Sequence, residues 1–318
     1  MSYTFKAYVI GDREYFTWSE GYEKNGQEKK AFAFPQSLLD FLYLDTDKFS
    51  TLAKIAGASV RALCDGAGEE EARRHADAIR DGLDAIAGEH VWFELPRLAW
   101  RDRLDKFIAG GCEDSAWMQE INNLPQDIRI EQERLKTLFH DVLDILAARD
   151  MTLQQRLTKY YGRPPAEVYQ FRPLTISYES AGEEGFADVL YPQSIHDLIS
   201  FTVCACLQRG QLFRVCKSCG RYFALTGYSN TEYCDRLFQD TGKTCKEVGA
   251  VKVYWNKIVT DPVISLYNRV YKKRFARIRS GRLSRDDFYA WSEQARVMRD
   301  RCLAGEISID ELERWLAD

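Results

Sequence analysis

The chain has 318 residues, enough for about two domains at roughly 100–200 residues each. Its 45% hydrophobic and 29% charged residues are ordinary for a globular protein, and no run of about 18 apolar residues is present, which excludes a membrane-spanning helix. The formal net charge of −4 hides an uneven distribution: residues 209–282 hold 16 Lys and Arg against 5 Asp and Glu, a net of +11, and the remainder nets −15.

Met1 to Lys6 shows no charged leader followed by an apolar stretch, so no signal peptide is expected. Nine cysteines then fit a reducing cytoplasm, with thiols free or metal-bound rather than paired.

The first 35 residues read as β structure. Tyr3, Phe5, Ala7 and Val9 alternate as in a half-buried strand, and Asn25-Gly26 is a hairpin turn signal between two aromatic runs. Residues 36–160 read as helices. Ala72, Ala76, Ile79, Leu83 and Ile86 form one apolar stripe, with Gly88 expected to end that helix in the left-handed region. Ile128, Leu135, Leu138, Val142 and Ile145 form a second stripe in a helix expected to begin near Pro125. Leu174, Ile176 and Tyr178, then Phe186, Asp188 and Leu190, alternate around a glycine turn. Ser194 is positioned to cap an apolar helix running to Arg209. Past residue 245 the chain reads as helical, with one helix expected over 246–259. Asp261-Pro262, Ser284 and Ser308-Ile-Asp-Glu311 mark three further helix starts.

The most informative motif is Cys216-Lys-Ser-Cys219, followed by Cys234 and Cys245. A two-residue gap lets two sulfurs converge on one ion, and Gly220 supplies the positive φ that such a knuckle uses. Zn²⁺ takes four thiolates as a closed tetrahedron, and no histidine lies in 209–282 to replace one. The site is therefore read as structural zinc, with Tyr222, Phe223, Tyr228, Tyr233 and Phe238 expected to shield it. A redox dithiol, an iron–sulfur cluster and unrelated buried thiols are the alternatives. Cys64, Cys112, Cys204, Cys206 and Cys302 read as core residues instead.

The run Cys216-Lys-Ser-Cys219-Gly-Arg-Tyr-Phe223, with Ser229-Asn230, Tyr233-Cys234-Asp-Arg236 and Cys245-Lys-Glu-Val-Gly-Ala, is similar to a bacterial family carrying a zinc-ribbon-like element. It also distantly resembles the CGNR zinc fingers. That resemblance covers the cysteine region and implies zinc on Cys216, Cys219, Cys234 and Cys245. It also implies a DNA-binding regulator of transcription. Two departures weaken the second implication: the last two cysteines are farther apart than in CGNR fingers, and Lys246-Glu-Val-Gly replaces their Gly-Asn-Arg.

Beyond the cysteines, Ile264, Tyr267, Tyr271, Phe275 and Ile278 would share one helix face, with Arg269, Lys272, Lys273, Arg277 and Arg279 on the opposite one. Such a cationic face suits phosphate contact; it equally suits a solvated surface or a dock for the acidic N-terminal region. Arg274 falls inside the apolar stripe and needs a partner there. No catalytic motif stands out: Gly242-Lys243-Thr244 lacks the leading glycine of a phosphate loop, and His196-Asp197 sits at a helix start.

These readings combine into an α+β, predominantly helical fold. Residues 1–192 are an acidic α+β domain. Residues 193–318 are a helical domain built round a zinc-ribbon or treble-clef-like four-cysteine module at about 210–250, with a basic helical tail. The expected function is a cytoplasmic, non-enzymatic, zinc-binding protein that contacts nucleic acid. The alternative is a protein-interaction or assembly module, with a protein partner meeting the acidic N-terminal domain.

Overall fold

The computed structural model describes residues 3–21, 27–66, 68–110, 116–182, 185–227, 230–249 and 261–317. The fold is α+β and mostly helical. Two compact units are distinguished, Met1–Val215 with Arg221–Thr231, and Cys216–Gly220 with Glu232–Asp318. No helix of the described residues is long and apolar enough to cross a membrane.

The first unit opens with three strands, β1 (Tyr3–Ile10), β2 (Arg13–Glu20) and β3 (Glu28–Ala33). Phe5 pairs with Trp18 and Ala7 with Phe16 across the β1–β2 ladder, so all four side chains meet on one face and enter the main core. Tyr8 and Tyr15 pair on the other face and stack at 5.0 Å. β2 and β3 are antiparallel; Asn25-Gly26, the expected turn between them, lies outside the described residues.

Helices α1 (Gln36–Leu42), α2 (Asp47–Cys64), α3 (Glu69–Glu89), α4 (Glu94–Ile108), α5 (Ala116–Leu138), α6 (Ile145–Asp150) and α7 (Leu153–Tyr161) follow. The apolar stripe of α3 is buried from Ala76 to Ile86, as its spacing predicts. Gly88 does not end that helix. α3 continues to Glu89 and His90 leaves it in an extended conformation, because His90 starts the next turn by accepting from the Trp92 amide at 3.2 Å. α5 starts well before Pro125, which sits inside it. The second stripe is buried throughout, but it crosses a wide helical turn at Phe139–Leu143 rather than one continuous helix.

Strands β4 (Ile176–Ser180) and β5 (Phe186–Leu190) complete an antiparallel sheet of order β3-β2-β1-β5-β4. β4 is an edge strand, so Ile176 and Tyr178 stay exposed although their alternation suggested a half-buried strand. α8 (Ile195–Gln208) is capped by Ser194, which accepts from the Asp197 amide while Asp197 accepts from the Ser194 amide. Leu198, Ile199, Val203 and Cys206 of α8 are buried in the first unit's core. A small hairpin, β6 (Phe213–Val215) and β7 (Tyr222–Ala224), also belongs to this unit.

In the second unit, helical residues 245–249 are designated α9. The helix expected over 246–259 falls mostly outside the described residues. α10 (Pro262–Arg279), α11 (Arg285–Leu303) and α12 (Ile309–Ala317) pack around Leu266, Tyr267, Ala295, Cys302, Leu312 and Leu316. Asp261, Ser284 and Ser308 cap these helices as their sequence positions suggest.

Candidate metal centre

Two stretches of the second unit supply the cysteines. In the first, the Gly220 amide donates to the Cys216 carbonyl at 2.9 Å and closes the knuckle. Gly220 has φ +70°, a conformation that a side chain would strain. In the second, Gly242 (φ +65°) turns the chain, and the Phe238 amide donates to the Lys243 carbonyl at 2.8 Å. The returning chain brings the Cys245 amide to the Arg236 carbonyl at 2.8 Å and the Lys246 amide to the Cys234 carbonyl at 3.1 Å. That pairing sets Cys234 beside Cys245, although ten residues separate them in sequence.

Thr244 fixes where α9 begins. Its hydroxyl accepts from the Glu247 amide at 3.3 Å, and Glu247 accepts from the Thr244 amide at 2.7 Å. This is a capping box that the sequence reading passed over, though Thr-x-x-Glu is visible at 244–247. It places Cys245 in the first turn of the helix. The Ser218 hydroxyl also donates to the Cys245 carbonyl at 3.2 Å, tying the knuckle to the second stretch.

The four sulfurs lie within 4.8 Å of one another, and Cys219 Sγ and Cys234 Sγ are 3.8 Å apart. A tetrahedral zinc with Zn–S near 2.3 Å requires sulfur separations of about 3.8 Å. A disulfide requires about 2.05 Å. Cys216, Cys234 and Cys245 are buried and Cys219 is half-buried. Burial raises the Cys216 thiol pKa, but amide donors from Cys219, Cys234 and Ser218 outweigh it and bring the value to about 7. Burial and the neighbouring sulfurs push Cys234 and Cys245 up. Thiols that hold one another protonated in this way favour a cation that can take their place. The four cysteines can therefore hold a metal ion.

Of the aromatic residues expected to shield the site, Tyr222 and Phe223 fall in the first unit. The Tyr222 ring belongs to the first unit, 5.1 Å from Phe139 in its core. Tyr228 lies outside the described residues. Tyr233 does pack locally, because a Cβ at Gly249 would strike its ring. Of the remaining cysteines, Cys206 and Cys302 are core residues as read, and Cys204 is half-buried. Cys64 is exposed at the end of α2, contrary to its expected place in the core, and Cys112 lies outside the described residues.

The cationic helix forms as α10. Arg269, Lys272, Lys273 and Arg277 are exposed, and the side chain of Arg279 lies outside the described residues. Arg269 is 3.3 Å from Glu313, whereas no ion pair of Lys272, Lys273 or Arg277 occurs among the described residues. The buried face is rotated from the expected one. Leu266 and Tyr267 are buried and Val263, Val270 and Tyr271 pack with them, while Phe275 stays 44% exposed. Arg274 resolves its place in the stripe by laying its guanidinium 4.6 Å over the Trp291 ring. Arg269, Lys273, Arg274 and Arg277 line a groove of about 370 Å³ with Glu313 and Leu316 of α12.

Residues 169–318 match a family of unknown function, DUF6076. That stretch contains all four cysteines and the whole of α10, α11 and α12. No curated protein and no solved structure matches the chain.

Proposed function

We propose that the second unit is a zinc-stabilised module that binds nucleic acid through α10. The donor set supports zinc: four thiolates leave no open coordination position, which suits a structural ion and gives no reaction centre. Iron could use the same ligands, and metal analysis separates the two.

The observation that carries the nucleic-acid reading is the exposed cation row of Arg269, Lys272, Lys273 and Arg277, answered among the described residues by Glu313 alone. Such a row follows a phosphate backbone without reading its bases, so the binding is sequence-tolerant and salt-sensitive. A regulatory role on DNA rests further on the CGNR resemblance of the cysteine run.

Fluorescence anisotropy with a labelled duplex DNA and a single-stranded RNA tests this. Affinity should be measurable at about 50 mM salt and fall steeply by about 200 mM. Lys272→Glu with Lys273→Glu should abolish it. No binding at low salt, or binding indifferent to salt and to the double substitution, overturns the reading and leaves the protein-interaction role.

A further inference from the structure

We propose that the first unit binds a small zwitterion with an apolar side chain, of the amino-acid or dipeptide class, in a cleft between α4, α5 and the start of α8. The cleft holds about 370 Å³, within the range of small-ligand pockets. Leu95, Pro96, Ala99, Leu124, Ile128 and Ile195 give it an apolar wall, and Trp100 adds an aromatic surface.

The ionic groups around that wall divide into those already engaged and those left over. Glu120 accepts from Arg103 at 2.6 Å and from the Trp100 indole at 3.2 Å. Glu131 Oε1 accepts from Arg134 at 3.2 Å and lies 3.6 Å from His196 Nδ1, while its buried Oε2 has no hydrogen-bond partner among the described residues. His196 Nε2 faces the Gln170 carbonyl at 2.7 Å, and its ring stacks on buried Tyr169 at 4.7 Å, so this side of the cleft is fixed. Two ionic lining groups, Asp127 and Arg172, have neither a hydrogen bond nor an ion pair among the described residues.

A carboxylate pair with free acceptor oxygens, Asp127 and Glu131 Oε2, and one unengaged cation, Arg172, beside an apolar wall match a ligand with an ammonium, a carboxylate and a hydrophobic body. The ammonium would meet Asp127 and the carboxylate Arg172. Partial desolvation against the cleft wall and then the nearby Glu131 raise the pKa of Asp127, although its side chain still reaches solvent, and a ligand cation would relieve that shift. A divalent cation fits less well. Among the described residues the four cysteines are the one group of His, Cys, Asp or Glu side chains placed to share a metal ion.

The test titrates the full chain with L-phenylalanine, N-acetyl-L-phenylalanine and L-phenylalanine methyl ester, using saturation-transfer NMR. L-Phenylalanine should bind, and each blocked compound should bind at least about ten-fold more weakly, the loss expected for one charge-assisted contact. Asp127→Asn should weaken L-phenylalanine as N-acetylation does, and Arg172→Gln as esterification does. Both positions are exposed, and circular dichroism verifies that the variants fold. Ala99→Leu, which fills the cleft without touching either charge, should abolish binding. No binding of L-phenylalanine, equal binding of the blocked compounds, or unchanged affinity in the three variants overturns the proposal.

Discussion

The backbone amide of Cys234 donates to Cys216 Sγ across 3.4 Å, linking the knuckle to a residue eighteen positions along the chain. An amide aimed at a sulfur stabilises the thiolate and orients it toward its fellow ligands. Both the tightness of the cysteine cluster and the low pKa of Cys216 follow from contacts of this kind.

Metal removal should therefore act locally. The segment 230–249 holds few buried apolar side chains, and Cys234 and Cys245 are among the most buried. Structural zinc supplies roughly 10 kcal/mol or more in small zinc-binding peptides. A chelator should open residues 216–220 and 232–249 to limited proteolysis while the helices over 36–161 stay resistant, with fragments read by mass spectrometry. Uniform protection with and without chelator would count against a metal holding this segment.

Gly57 on α2 shows how closely α2 and α5 approach. A Cβ at Gly57 would fall inside the contact radius of the Asn122 side-chain amide. Gly→Ala inside a helix gains about 1 kcal/mol of propensity, and overpacking costs about 1–3 kcal/mol. Gly57→Ala should thus destabilise slightly in the natural chain and stabilise when Asn122→Ala has cleared the space. A double-mutant cycle from urea unfolding would show this change of sign, and additivity of the two substitutions would refute it.

Glu14 and His90 should impose opposing pH dependences. Glu14 is buried and accepts from the Ser37 amide at 2.6 Å and the Ser37 hydroxyl at 2.8 Å. Burial lifts its pKa from 4.5 to about 7, against the Ser37 hydrogen bonds. The folded state thus holds this proton more tightly, so the contribution is full below about pH 4.5 and is lost as pH rises through 7. His90, whose Nε2 is 3.0 Å from the Ser37 carbonyl, is pushed down by burial to about 4, so its contribution is lost as pH falls from 6.5 toward 4. Glu14→Gln should remove the first slope and leave the second. The stability difference between natural and variant chains should shrink by about 3 kcal/mol between pH 4.5 and 7 at about 1.4 kcal/mol per pKa unit. A difference flat across that range would contradict a buried, proton-holding Glu14.

Much of this architecture is legible in the sequence where the signal is local. The stripe from Ala76 to Ile86, the caps at Ser194, Asp261, Ser284 and Ser308, and the four convergent cysteines all follow from spacing and cap chemistry. Features set by tertiary contact are not. Gly88 stays helical because His90, two residues on, is what turns the chain. Ile176 and Tyr178 alternate like core residues but occupy an edge strand. The buried face of α10 includes Leu266 and Val270 because it meets two helices rather than one surface, and a wheel centred on its aromatics misses that rotation. The cleft beside α5 is invisible in sequence, since Asp127, Arg172 and Ile195 come together only through packing.

Metal analysis of the purified full chain by inductively coupled plasma mass spectrometry decides whether the four cysteines hold zinc. About one zinc per chain is expected, lost in Cys216→Ser and retained in Lys272→Glu with Lys273→Glu, because one zinc takes four protein ligands. Iron in place of zinc, or no metal in freshly prepared protein, would contradict this expectation.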